Sequence, residues 1–298
     1  MDLESFSIAV YCLLDEGLAE LQGTPGWGRI RQRGPAPLLA DSEVLTMEVV
    51  GEFLGLDQDV TIVASFRREH PDFFPALSQI HRTPFARQAA NLWVVKERLW
   101  GLVRDRVRHD PTLSFVDSVP VPVCRYGRVH TCRRFEAAAA YGYDQGSKTT
   151  FYGFRYHLRA CWPGVLADID VAAANASDLA VAPEVVASAE GMVLGDRNYW
   201  APLLREELHH EGIDLLAPYR HRRTDPHPAL SHDLARLRWR IETVAAQLVE
   251  RYHLKRIWAR DAWHLTSRLL RKALSHTVAV VLCLDCGLSP LQFAQLLD

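Results

Sequence analysis

The sequence predicts an α/β protein in which a mixed sheet flanked by helices follows an all-helical N-terminal domain. Up to about residue 110, apolar side chains recur at helical spacing. From Leu113 to Ala173, three Val-, Phe- and Tyr-bearing runs succeed one another. Beyond them, helix and strand signals alternate.

The elements can be justified in order. Phe6 to Leu21 carries a helical apolar stripe, and a Gly/Pro-rich loop is expected from Gly23 to Pro37. Asp41-Ser42-Glu43 supplies a cap and early negative charge for a helix over Val44 to Leu54. A long helix from about Pro84 through Arg108 places Phe85, Ala89, Leu92, Trp93, Leu99 and Val103 on one broad stripe with basic residues beside it. These helices make up a domain over residues 1–110 that is expected to hold DNA. The strand candidates at 113–123, 151–160 and 165–173 read as a meander. A helix capped by Asp178 runs to Ala189, a short strand ends at Asp196, a helix covers Ala201 to Glu211, and a strand covers Ile213 to Ala217. A loop with Pro226 and Pro228 leads into a long helix from about Leu234 to Leu254. Ala262 to Leu284 reads as a closing helix with Arg268, Arg271 and Lys272 on its polar side. Three strands followed by alternating helix and strand is the order of a ribonuclease-H-like sheet, assigned here to a domain over residues 111–298 that includes the C-terminal helices.

Three acids stand in apolar settings. Asp117 shares a strand face with Leu113, Phe115 and Val119 by period-two counting. An unpaired charge there would cost on the order of several kcal/mol. Asp196 ends Gly191-Met-Val-Leu-Gly, and Glu242 flanks the stripe Ile241, Val244, Ala245, Leu248 of the long helix. In the expected sheet the first and fourth strands are neighbours, so Asp117 and Asp196 meet. Each acid also has an ordinary explanation: a turn before Pro120, the start of a loop, and an Arg238–Glu242 pair one helical turn apart.

Composition sets the bounds. With 48% hydrophobic and 23% charged residues, the chain can bury a full core. No apolar run approaches the roughly 18–20 residues of a membrane span, and the N-terminus lacks a basic signal-like region, so a cytoplasmic, nucleoid-associated location is expected. The six cysteines do not read as a disulfide framework. Cys283/Cys286 and the Cys124, His130, Cys132 set each lack a full zinc complement and are read as structural. The net charge of −2 conceals an asymmetry: from Tyr219 to Lys272 there are 13 Lys or Arg against 5 Asp or Glu. Phosphate binding follows such local fields.

The chain resembles the DDE transposases of bacterial insertion sequences, most closely insertion-sequence family 982. The resemblance rests on Asp41-Ser-Glu-Val-Leu-Thr46, Gly51-Glu-Phe-Leu-Gly55, Arg87-Gln-Ala-Ala-Asn-Leu-Trp93, Val116-Asp-Ser-Val-Pro-Val-Pro-Val-Cys124, Tyr152-Gly-Phe-Arg-Tyr-His157, Gly195-Asp-Arg-Asn-Tyr199, Arg240-Ile-Glu-Thr-Val244 and Trp258-Ala-Arg-Asp-Ala-Trp-His-Leu-Thr266. It implies a ribonuclease-H-like catalytic domain in which Asp117, Asp196 and Glu242 bind two divalent ions, usually Mg2+ with Mn2+ able to substitute. Asp117 would be shared between the two ions. It further implies cleavage at terminal inverted repeats of double-stranded DNA, transfer of the 3′-hydroxyl to target DNA, and a homodimer on DNA. Arg197 and Asn198 stand where the family usually has Lys and Gly. Ala235 and Val249 replace a Tyr and a Lys common in the wider group, while Arg238 keeps its spacing. Candidate DNA contacts are Arg238, Arg240, Lys148, Arg155, His157, Arg197, Tyr199 and Trp200. A DNA-binding regulator, or a nuclease without strand transfer, would share much of this pattern.

Overall fold

In the computed structural model, which describes residues 1–25 and 36–297, the chain forms two compact units. One comprises Met1–Val107 with Glu250–Asp298, and the other Arg108–Val249. Most of the Gly/Pro-rich loop expected between Gly23 and Pro37 lies outside the described residues.

In chain order the helices α1 (Leu3–Gly23), α2 (Asp41–Phe53), α3 (Asp59–Glu69), α4 (Arg82–Asn91) and α5 (Trp93–Asp105) come first. Next come β1 (Asp110–Arg125), β2 (Ala140–Asp144), β3 (Thr149–Trp162), β4 (Val165–Ala173), α6 (Asp178–Val186), β5 (Gly191–Leu194), α7 (Pro202–His210) and β6 (Ile213–Leu216). The chain closes with α8 (Pro228–Leu237), α9 (Trp239–Glu250) and α10 (Ala262–Asp285).

In the helical unit, Asp2 caps α1 by accepting from the Ser5 N–H, and Glu43 accepts from the Ala40 N–H ahead of α2. Asp41 is therefore the first helical residue and not the cap. The helix expected as one piece from Pro84 divides at Leu92, where the chain turns between α4 and α5. The helix α10, grouped by sequence with the sheet, packs with α2, α4 and α5. Its Arg271 and Lys272 do not form a polar side as expected. Both are 1% exposed, as is Glu48, and Glu52 is 0% exposed. Arg271 donates to Glu52 at 2.6 Å and to Asp59 at 2.9 Å, Lys272 donates to Glu52 at 2.7 Å, and Lys96 donates to Glu48 at 2.8 Å. These pairings offset the desolvation of so many charges. They also withdraw cations from the basic field that residues 219–272 suggest.

The sheet of the second unit has six strands among the described residues, in the order β2-β3-β1-β5-β6, with β4 also paired to β3. β3 is antiparallel to both β1 and β4, while β1–β5 and β5–β6 are parallel. Together with the flanking helices this is a ribonuclease-H-like arrangement. The edge strand β2 was not expected. Its Tyr- and Gly-containing segment has no apolar run and is held by β3 alone. One face of the sheet presents Val116, Val193 and Leu215 to α6, α7 and the turn that follows β5, where they meet Val181, Val185, Leu208 and Tyr199. Phe115, Val119, Tyr156 and Leu158 are buried on the other face. The long helix expected from Leu234 begins earlier, at Pro228, and is interrupted at Arg238.

Candidate active site

The register of two parallel strands brings the first two acids together. Phe115 on β1 pairs with Leu194 on β5. Two further residues along each chain, with side chains returning to the same face, lead to Asp117 and Asp196. β5 stops at Leu194 while β1 continues to Arg125, so this side of β1 opens just where Asp117 stands. The tight approach at Gly195 sets the path of the turn that follows. A Cβ there would come within 2.6 Å of the Tyr199 side chain.

Asp117 accepts from the Ser118 N–H at 2.8 Å and from the Arg238 guanidinium at 3.3 Å. Burial pushes its carboxyl up to about 6, against the pull of Arg238, and the neighbouring charges of Asp196 and Asp178 add to the rise. Asp196 accepts from the Asn198 N–H at 2.8 Å and is likewise raised, chiefly by burial. Two carboxylates raised by burial, each with further acid beside it, are a setting that a cation would relieve.

A third acid in this recess is Asp178, which the sequence offered only as a helix cap. Ser177 takes that role, accepting from the Ala180 N–H at 3.2 Å. Asp178 is thereby free to accept from Ser118 Oγ at 2.7 Å and from Asn198 Nδ2 at 3.4 Å. Asn198 also donates to Asp196 at 3.2 Å, so Asp178 ties the strand bearing Asp117 to the turn bearing Asp196. The signal in the sequence was Ser177-Asp178, two capping residues in succession of which only one can cap.

Glu242 is exposed, in the first turn of α9, and no hydrogen bond or ion pair joins it to Asp117 or Asp196 among the described residues. The side chain that reaches Asp117 from this helical run is Arg238, one turn earlier. The Glu242 N–H still donates to the Arg238 carbonyl at 3.3 Å. The two residues therefore share one face of the run.

The remaining candidates separate by position. Arg155 donates to Ser118 Oγ and to the Tyr143 carbonyl, both at 3.1 Å, and Lys148 is exposed in the β2–β3 turn. Arg197 donates to the Tyr219 carbonyl. Arg240 is stacked between Trp239 and Trp162, with its guanidinium carbon 3.9 Å and 4.7 Å from the ring centroids. Trp200 is half-buried and meets Tyr219 edge-to-face at 5.0 Å. Tyr199 and His157 are 2% and 1% exposed, so they present almost no surface to a ligand. Among the described residues the Tyr199 hydroxyl and both ring nitrogens of His157 have no hydrogen-bond partner. Burial lowers the proton affinity of His157 although Asp178 lies 3.8 Å from it, which keeps the ring neutral.

Among the described residues no group of three or more His, Cys, Asp or Glu has the arrangement of a formed metal site. Among these residues no helix is long and apolar enough to cross a membrane either. The family profile described as Transposase DDE domain matches residues 108–260, just over half of the chain. No curated protein and no solved structure gives a match.

Proposed function

The chain belongs to the transposase DDE domain family, and from that premise we propose that it cuts DNA at the ends of an insertion sequence and joins the freed 3′-hydroxyl to target DNA. The observation that carries this reading is the Asp117–Asp196 pair, two neighbouring carboxylates held at the end of parallel strands and raised by burial. Hard carboxylate oxygens in a recess with a single cationic partner fit Mg2+ or Mn2+. Asp117 and Asp196 would hold such ions. We propose Glu242 as the third donor, because it shares a helical face with Arg238, whose guanidinium already touches Asp117. Bound there, divalent ions supply Lewis-acid activation of the attacking oxygen and charge relief at the leaving one.

The chain's own residues set the stage for in-line displacement. Ser118 and Asn198 fix the carboxylates by donating to them, and Asp178 couples these two donors. Arg238 sets a positive charge against Asp117 through its Nη2, 3.3 Å from the carboxylate. Arg155, Lys148, Arg197 and Arg240 are proposed to line the path of the DNA backbone. Assignment to insertion-sequence family 982, the use of terminal inverted repeats, and a homodimer on DNA belong to the same proposal.

The test is incubation of labelled duplex carrying the element's ends with Mg2+ and wild type, Asp117→Asn or Glu242→Gln protein. Wild type should cleave and both variants should lose cleavage. Equal cleavage by all three would sink the assignment, whereas binding without cleavage by wild type would point to a DNA-binding regulator.

A further inference from the structure

The segment between β1 and β3 carries an aromatic surface that the aspartate site does not use. Cys124 pairs with Tyr152 across β1 and β3, and Tyr152 pairs with Tyr141 across β3 and β2. Directly opposed residues on adjacent strands share a face. The rings of Tyr126, Tyr141 and Tyr152 accordingly form a row, with centroids 5.9 Å and 5.6 Å apart. Ordinary packing does not account for the row, because Tyr126 is 63% and Tyr141 52% exposed. The anchoring of this segment falls to Phe135, which packs edge-to-face on Phe154 at 5.2 Å.

The surroundings of the row are cationic. From Cys124 to Lys148 there are five Lys or Arg and two Asp or Glu. Arg125, Arg128, Arg133 and Arg134 are all exposed, and one of the two acids, Asp144, is buried and bonded to the Ser147 hydroxyl and the Gly146 N–H. Exposed rings in series beside guanidinium groups suit a polyanion whose own flat rings are accessible. Double-stranded DNA offers the charge but keeps its bases stacked inside, and an acidic peptide lacks the rings.

We propose that Tyr126, Tyr141 and Tyr152 are a stacking platform for unpaired bases of single-stranded DNA, with the arginines following its backbone. The proposal deepens the transposase reading and rests on it: strand cleavage at an element's end frees a strand terminus whose bases can unpair and be held on such a surface. Arg155 links the two regions, donating to Ser118 beside Asp117 and to the Tyr143 carbonyl on β2.

The test is fluorescence anisotropy of the full chain with labelled oligothymidine and with a duplex of equal length, both without divalent ions. Tyr126→Ala/Tyr141→Ala should bind oligothymidine at least about thirtyfold more weakly than wild type, since two base–aromatic stacks are lost, and should bind duplex about as well. Tyr126→Phe/Tyr141→Phe, which keeps the rings, should retain wild-type affinity. Three results would overturn the platform: no binding of oligothymidine by wild type, unchanged binding by the alanine variant, or equal losses in the alanine and phenylalanine variants. Without divalent ions this binding does not depend on strand cleavage. Failure of the cleavage assay would thus remain distinguishable from failure of the platform.

Discussion

Replacing Asp117 by Asn should stabilise the protein at neutral pH while abolishing its proposed chemistry. The carboxyl is pushed from an ordinary 3.8 to about 6, mainly by burial and in spite of Arg238. At about 1.36 kcal/mol for each tenfold change in proton affinity, ionised Asp117 costs the fold about 3 kcal/mol relative to its neutral form. The sign follows from linkage. Below pH 3.8 the group is protonated in both folded and unfolded chains, and wild type and variant should match. As pH rises through about 6, wild type loses the stabilisation of the protonated group and the variant does not. Urea unfolding in the presence of a chelator, repeated from pH 4 to 8, reads the gap directly. A variant no more stable than wild type at pH 7, or a gap that does not shrink between pH 6 and pH 4, would refute the reasoning.

Gly195→Ala would drive a methyl into the Tyr199 ring, 2.6 Å away; overpacking of this kind costs about 1–3 kcal/mol, and thermal unfolding should fall accordingly together with DNA cleavage. Arg271→Ala would leave Glu48, Glu52 and Asp59 buried without their shared cation, a loss of about 3–5 kcal/mol that denaturant unfolding should register; a near-neutral result would show that the network relaxes freely. Burial raises Asp59, but the charges of Arg271 and Arg268 overcome it and hold the carboxyl at about 2. Its contribution of about 2 kcal/mol is present above pH 3.8 and lost as pH falls through about 2, so the stability gap between wild type and Asp59→Asn should close over that acid range.

The legible parts of this fold were those with local signals. The Val and Phe content of β1 and period-two alternation placed Asp117 on the correct face, and the order of elements made β1 and β5 neighbours. The acids at 48 and 52 were illegible because their partners Lys96, Arg271 and Lys272 lie far along the chain. A carboxylate one helical turn from another reads as a solvated face until those partners are known. The helix α3 offered only a short apolar stripe of Ile62, Val63 and Phe66 among polar residues. The break at Arg238 has no Gly or Pro to announce it and coincides with the residue that reaches Asp117. In the site itself, Asp178 was masked by its position at a helix start, where an acid has a sufficient local explanation. The exposed rings of Tyr126 and Tyr141 became visible only once β2 had been paired with β3.

The central claim is that Asp117 and Asp196 are a cation-binding pair. Titration of Mn2+ into chelator-treated protein, followed by electron paramagnetic resonance of the free ion, measures it without DNA or turnover. Wild type should take up Mn2+ in competition with Mg2+, and Asp117→Asn and Asp196→Asn should each lose that uptake while remaining folded. Identical Mn2+ binding by wild type and both variants would contradict the account.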